Sequence, residues 1–553
     1  MVARSGAEGI KFGTSGFRGR WGIEYTEDVV RDIVQSICDY LIEKQSVAGK
    51  VLVIGYDSRE HADVAACWCS DVALRNGFEV HLTSRDTPTP ALAYYAGEVL
   101  KDAAAGVINC TSSHNPIDWH GIKFSLRDGS ISPPRVTDFV ETRTTAYRLG
   151  ERSWTPRELT PGDETRLTMV DPRESYCRWL LTSGESDCRI ALDHERMRSY
   201  FEGNLVIVDE MHGTGRDYLS LVLDEIGIPY RVIHGERDPR LGGLHSANPE
   251  EPHIQGLKDA VRETGAALGV GLDTDADRYG VVDHGGAYIE PNAILAMLTR
   301  YLGVERRLSG CVAVTYVTTH IIERIAADIP NNASFRPAPG ARPMHLRDPG
   351  YQVVCGAPDE MVTRNVFNVL TGLKYIIQVP QMDRDYALLD DPPSDWRCRL
   401  LIGGEQASGL TSKGHVPDKD GMWADLLVLD MVAHYGKSLR EIWEDTQRIY
   451  GGSVTAPLNL SIPTEQKAPF IDAFLEAGRT GHLAGMPVVY AGGIPGRYAE
   501  LKLQNETRNT DNYVHVRPSG TEPLVRVYLE TTMPATLDCL RVNVEDRVRR
   551  LGL

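Results

Sequence analysis

The chain has 553 residues, 42% of them hydrophobic and 24% charged, with a formal net charge of −17. That length exceeds what one core supports and predicts three or four domains, and no run of about 18 apolar residues is present to form a spanning helix. The acidic surplus repels nucleic acid and anionic membranes, so neither is expected as a partner, and an anionic substrate would require a local cationic pocket.

In chain order, Met1–Lys11 mixes charge and glycine without the apolar stretch of a signal peptide, and a cytoplasmic location is expected. Asp28–Leu41 is amphipathic and long enough for a helix. Short apolar runs at Val51–Gly55, Gly106–Cys110, Leu205–Val208, Leu268–Leu272 and Leu400–Ile402 read as buried parallel strands, and a second helix is expected at Ala424–Tyr435. This alternation predicts α/β domains. The prolines and weak periodicity of Asp328–Val362 predict a long surface insertion, with Asp383–Trp396 of similar character. Tyr450–Pro463, rich in Gly, Ser, Thr and Pro, reads as a linker into a final domain. The ten cysteines form no C-x-x-C pair, so reduced thiols are expected rather than a zinc site or disulfide framework.

Three of the strands run directly into polar loops, Thr111–Pro116, Asp273–Arg278 and Gly403–Gly409, where ligands of α/β sheets bind. In the first, a serine hydroxyl beside a histidine, Ser113-His114, suits a nucleophile or phosphoryl carrier, and Pro116 fits the start of a turn or helix. In the second, Asp273, Asp275 and Asp277 alternate, so an extended loop would turn all three carboxylates to one side. Such charges repel unless a cation sits among them, and an all-oxygen set suits Mg²⁺ or Ca²⁺. An EF-hand is rejected because its sixth and twelfth places, Gly and Glu, are here Arg278 and His284. In the third, Glu405 and neighbouring hydroxyls suit sugar recognition. Later, Arg517-Pro518-Ser519-Gly520-Thr521-Glu522-Pro523, with Arg526 behind, combines arginines, hydroxyls and a glycine in a plausible phosphate cradle.

With these loops in this order, the whole chain resembles the α-D-phosphohexomutase family of phosphoglucomutases and phosphomannomutases. Lys11–Gly19 resembles its N-terminal arginine loop, Thr111–Pro116 its phosphoserine loop and Asp273–Arg278 its metal loop. Gly403–Gly409 resembles the sugar loop and Arg517–Pro523 the phosphate loop, while Gly55–Arg59 and Thr87–Pro90 are similar to its first domain. The resemblance implies three related α/β domains with mixed sheets and a smaller α+β C-terminal domain around a central cleft. The expected boundaries are 1–170, 171–302, 303–450 and 451–553.

It further implies a mutase that interconverts sugar 1- and 6-phosphates, glucose or mannose foremost, through phospho-Ser113 and a bisphosphate. Mg²⁺ would lie among Asp273, Asp275, Asp277 and the serine phosphate, and a hexose 1,6-bisphosphate would activate. Lys123 would be the acid/base, assisted by Arg18 and His114. Arg278, Lys374, Glu405, Ser408, Arg517, Ser519, Gly520, Thr521 and Arg526 would bind the sugar phosphate, in a monomer or homodimer. Departures from the pattern are Ala407 where the sugar loop usually has serine, with Ser408 one step later, and His120 where asparagine is common. Thr315 or Tyr316 stands where a basic residue is expected. They leave open a specialised hexose or pentose phosphate mutase, a sugar bisphosphate synthase or phosphatase, and a non-catalytic sensor.

Overall fold

The computed structural model describes residues 10–13, 16–44, 50–182, 188–330, 351–356, 366–382, 396–505, 511–519 and 523–550. The chain divides into two compact units: residues 1–291 with 372–377 and 407–440, and residues 292–371, 378–406 and 441–553.

The first unit holds two mixed sheets that repeat one pattern. In the six-stranded sheet, Ala104–Cys110, Val51–Tyr56, Glu79–Thr83 and Leu167–Val170 run parallel, and Trp119–Ser125 folds back antiparallel beside Ala104–Cys110. In the five-stranded sheet, Leu268–Leu272, Val206–Asp209 and Tyr230–Ile233 are parallel, and Tyr279–Asp283 folds back beside Leu268–Leu272. Every residue of Ala104–Cys110, Val206–Asp209 and Leu268–Leu272 is buried, which explains their uninterrupted apolar character. In each sheet the hairpin loop leaving the same strand position carries a candidate motif. The expected helix at Asp28–Leu41 spans Glu27–Lys44 and covers the first sheet's core. The expected helix at Ala424–Tyr435 spans Gly421–Tyr435; Asp420 caps it by accepting from the Trp423 amide at 3.0 Å.

In the second unit, Val366–Val369, Cys311–Thr315 and Leu400–Gly404 form parallel neighbours, and the Gly403–Gly409 motif again begins at the strand end. An antiparallel sheet follows in the order Gln352–Cys355, Met486–Ile494, Tyr498–Leu503, Asn512–Pro518, Leu524–Thr531 and Val454–Ser461. Helices Thr464–Thr480 and Pro534–Arg550 belong to this α+β portion, and Phe470 and Phe474 with Val514, Val527 and Leu540 are part of its core. The architecture is thus α/β with mixed sheets and a smaller α+β C-terminal portion, as expected.

Two sequence readings are corrected, on the linker and on the cysteines. The supposed linker contains the strand Val454–Ser461, paired over its whole length with Leu524–Thr531. Only Leu458 of that strand is buried and it carries Pro457, so a sheet edge presents the composition of a linker. The supposed insertion contributes the strand Gln352–Cys355; residues 331–350, 357–365 and 383–395 lie outside the described ones. Eight cysteines are free thiols as expected, but Cys188 and Cys398 are each in a disulfide. Oxidation depends on what folding brings close, which local spacing does not carry. No helix among the described residues is long and apolar enough to cross a membrane.

Candidate active site

Two hairpin loops of the first unit meet. Ser113 follows the strand Ala104–Cys110 in a turn, with no helix after Pro116: the chain re-enters the sheet at Trp119. Ser113 has φ of 55°, in the left-handed region, and its Oγ donates to Asp273 Oδ2 at 2.7 Å. Its own amide donates to Thr111 Oγ1 at 2.9 Å, and its hydroxyl lies 3.4 Å from His114 Nδ1.

Asp273, Asp275 and Asp277 are fully buried, with ligand oxygens all within 4.8 Å of one another. The convergence does not arise from an extended loop. Residues 273–278 form a tight turn, with Ala276 at φ of 53°, and Asp273 Oδ1 accepts from the amides of Asp277 at 3.0 Å and Arg278 at 3.1 Å. The turn is braced by close backbone approaches. A Cβ at Gly213 would meet the Asp273 carbonyl oxygen at 2.8 Å, and one at Gly421 would meet that of Arg278 at 2.4 Å.

Lys123 lies on the hairpin strand Trp119–Ser125, and its Nζ donates to Asp275 Oδ2 at 2.6 Å and Asp277 Oδ2 at 2.5 Å. Lys419, which the sequence reading missed, reaches Asp277 Oδ2 at 3.1 Å. Thr89 was missed as well: its hydroxyl donates to Asp275 Oδ2 at 2.5 Å and its amide to the Asp275 carbonyl at 3.0 Å. Only its place in Thr87-Pro88-Thr89-Pro90, similar to the family's first domain, marked it; Lys419 carried no signal beyond its charge.

The electrostatics follow from burial. Removal from water, then Asp275 and Asp277, push the Asp273 carboxyl well above its usual range. Burial also disfavours the Asp277 carboxylate, but Lys123, Lys419 and Arg278 overcome it and hold its pKa down. For Lys123, burial depresses the pKa and Lys419 and Arg18 add to that, yet Asp275 and Asp277 outweigh them and the net shift is upward. In this arrangement it is an ammonium ion. Burial, then Arg278, Arg18 and Lys123, drive His114 well below the usual histidine range, so its ring is neutral. The Arg18 guanidinium is depressed by burial and sustained by Asp275 and Asp277.

Asp275 Oδ1 and Asp277 Oδ1 are buried without a hydrogen-bond partner. Orphaned carboxylate oxygens cost heavily unless a cation or donor meets them. Together with Asp273 they form an all-oxygen donor set that fits a hard divalent ion.

Arg278 thus joins the cluster through its amide and its charge. Ser408, at φ of 58°, is fully buried and its hydroxyl donates to Glu250 Oε1 at 3.0 Å. Lys374 is buried with its ammonium 5.5 Å from the Tyr375 ring centroid, and burial depresses its pKa against the pull of Asp138.

In the second unit, Arg517 and Arg526 are direct cross-strand partners. Arg517 donates to the Tyr528 hydroxyl at 2.9 Å. Gln406 donates to the same hydroxyl at 3.4 Å while accepting from Thr315 Oγ1 at 2.8 Å. Although burial opposes it, Arg517 is held above its ordinary value by Tyr528, Tyr316 and Glu405. Ser519 closes the hairpin, its amide donating to the Leu524 carbonyl at 2.9 Å and its carbonyl accepting from Lys467 at 3.1 Å. Gly520 and Thr521 lie outside the described residues. Thr315 stands where a cation was expected, and its hydroxyl orders Gln406 instead.

Against this geometry, models of the four phosphoglucomutase/phosphomannomutase domains match in sequence order: α/β/α domains I, II and III over residues 9–150, 190–286 and 360–450, and the C-terminal domain over 494–547. The chain belongs to the phosphoglucomutase/phosphomannomutase family. A phosphoglucosamine mutase of Rhodococcus opacus (strain B4) is 30% identical over 529 residues, 95% of this chain and 96% of that protein. A phosphoglucomutase of Komagataeibacter xylinus is 25% identical over 570 residues, covering 98% and 91%. The open form of the phosphoglucomutase pp63/parafusin of Paramecium shares the fold with a TM-score of 0.72 at 18% identity, covering 99% of this chain and 96% of that one. Membership makes the chain a phosphohexomutase, an isomerase of the intramolecular phosphotransferase type.

Proposed function

We propose that this phosphohexomutase interconverts a sugar 1-phosphate and its 6-phosphate, glucose or mannose foremost, by way of a phosphoryl group carried on Ser113. The supporting observation is the 2.7 Å contact that brings Ser113 Oγ onto a fully buried aspartate triad. Asp273, Asp275, Asp277 and an oxygen on Ser113 would hold Mg²⁺. When bound, the ion supplies neutralising charge for the phosphoryl oxygens.

The chain's own residues do the remainder. An oxygen–phosphorus bond forms from the sugar hydroxyl to the phosphoryl group as the Ser113 Oγ–phosphorus bond breaks, and the hydroxyl loses a proton as Oγ gains one. Lys123, held as an ammonium ion, gives a proton to the departing Oγ and takes up the hydroxyl proton in exchange, while Arg18 and neutral His114 orient and stabilise charge; positioning and electrostatics dominate such transfers. The resulting bisphosphate returns its other phosphate to Ser113, and added hexose 1,6-bisphosphate therefore primes the enzyme. The facing arginines Arg517 and Arg526, with Ser519, Gly520 and Thr521, take the non-reacting phosphate, and Arg278 and Lys374 add cationic contacts. Glu405 accepts from sugar hydroxyls. The Ser408 hydroxyl donates its hydrogen bond to Glu250 and offers the sugar only lone pairs. The domain division proposed is 1–170, 171–302, 303–450 and 451–553.

Phosphorus NMR tests the reading. With Mg²⁺ and a trace of hexose 1,6-bisphosphate, glucose 1-phosphate or mannose 1-phosphate converts to the 6-phosphate. Accumulation of bisphosphate or inorganic phosphate without isomer would identify a synthase or phosphatase, and conversion of another sugar 1-phosphate alone would reassign the substrate.

A further inference from the structure

Arg59 follows the strand Val51–Tyr56 and is fully buried, outside the residues assigned above. A buried guanidinium is expensive unless its donors are met, and these donors converge on one target. One terminal nitrogen donates to the Ser113 carbonyl at 2.6 Å and the Asn115 carbonyl at 2.7 Å; the other donates to the Pro116 carbonyl at 2.8 Å. Asp57 completes the arrangement. Its Oδ2 lies 3.3 Å from Arg59 Nε and its Oδ1 accepts the Arg59 amide at 3.0 Å. Thr111 Oγ1 accepts the Ser113 amide at 2.9 Å. Both sides of the Ser113 backbone are therefore held: the amide by Thr111, and the carbonyl by the guanidinium that Asp57 braces. Ser113 is held at φ of 55°, a region that residues with a side chain avoid unless the surroundings enforce it.

We infer that Asp57 and Arg59 are positioning residues, a buried clamp that imposes the left-handed conformation of Ser113 and so aims its hydroxyl at the aspartate triad. This inference rests on the mutase reading above. The effect belongs to turnover rather than to sugar binding, because the clamp grips backbone beside the phosphoryl carrier.

The test compares Arg59→Ala, Arg59→Lys and Asp57→Asn with wild type by kcat, KM, melting temperature and intact mass after incubation with hexose 1,6-bisphosphate. Arg59→Ala should lower kcat by about 100-fold, the scale of an ångström's misplacement, with KM nearly unchanged. Added millimolar guanidinium should recover part of the loss. Arg59→Lys keeps the charge but loses the planar fork that spreads donors from two nitrogens over the three carbonyls, and should stay close to the alanine variant. If Arg59→Ala does not fold, the decision falls to Arg59→Lys and Asp57→Asn, which should both be folded and slow. Wild-type kcat in the folded variants, or full activity in Arg59→Lys, overturns the clamp. A wild-type enzyme that turns over without ever gaining a phosphoryl mass on Ser113 overturns the carrier reading instead.

Discussion

Around Ser113, three carboxylates with no exposure share two lysines, and two of their oxygens have no hydrogen-bond partner. In the C-terminal sheet, two arginines face each other across paired strands, and the partner given to Arg517 is a neutral phenol, Tyr528. Behind that phenol stands a further set of hydroxyls: Glu500 accepts from Tyr498 at 2.5 Å, from Tyr490 at 3.3 Å and from Tyr351. The contrast is between crowded carboxylates with two oxygens left without a hydrogen-bond partner and two facing arginines, one of which donates to a phenol. Like charges juxtaposed in a low dielectric are costly, and each cluster keeps that cost where its ligand relieves it. In the proposed mechanism, chemistry falls to the first cluster and grip to the second.

The largest predicted effects break the first cluster. Ser113→Ala should eliminate measurable turnover while leaving the melting temperature near wild type, since the lost hydroxyl contributes only its bond to Asp273 and a long contact with His114. Unchanged turnover would end the carrier role. Chelation should silence the enzyme just as fully, with Mg²⁺ restoring it; turnover that persists in excess EDTA would detach the triad from catalysis.

A smaller effect should mark the second cluster. Tyr528→Phe removes the acceptor of Arg517 and of Gln406 without removing the ring. A lost hydrogen bond to a charged group is worth about 1.5–3 kcal/mol, so KM should rise by roughly 10-fold or more with kcat nearly preserved. A matched fall in kcat with unchanged KM would place Tyr528 in the chemistry and erase the distinction between the clusters.

How much of this was legible depends on the distance between partners in the sequence. Ser113 and the aspartates announced themselves because each loop follows a strand whose residues are all buried, so a polar run after an apolar one marks the sheet end, whereas Arg517 stood out by the arginines, hydroxyls and glycine around it. The cause of the aspartate convergence was misread: alternation suggested an extended loop, whereas Ala276 turns the chain back, and a left-handed alanine leaves no mark in composition. Arg59, Thr89 and Lys419 gain their meaning from contacts 57, 186 and 142 positions away, to Pro116, Asp275 and Asp277. Single charged or hydroxyl residues at those places look like surface. The edge strand Val454–Ser461 was hidden for the opposite reason, since it has too little buried surface to show a period.

The smallest effect predicted is one of stability, and it extends the comparison to a charge pair tied to no ligand. Glu530, buried on the strand Leu524–Thr531, accepts from His320 Nδ1 at 2.8 Å, from the His320 amide at 3.0 Å and from Thr319 and Ser453 hydroxyls at 2.7 and 2.8 Å. Burial opposes its charge, but His320 and these donors win, and its pKa falls to about 2. His320 is disfavoured as a cation by burial, yet Glu530 and then Glu323 raise it above its usual value, with Lys502 opposing. Because the folded pKa of Glu530 is depressed, its contribution is present above its unfolded value near 4.5 and is lost as pH falls toward 2. Because that of His320 is raised, its contribution is complete below its unfolded value near 6.5 and fades as pH rises through the folded one. The pair should therefore support the fold most between these limits, by roughly 2 kcal/mol. Urea midpoints across pH 4 to 9 should show a gentle decline on the alkaline side that is absent in His320→Gln. If that variant keeps the wild-type slope, the decline belongs to other groups, and His320 is held as a neutral ring by its stacking 3.5 Å from Tyr513.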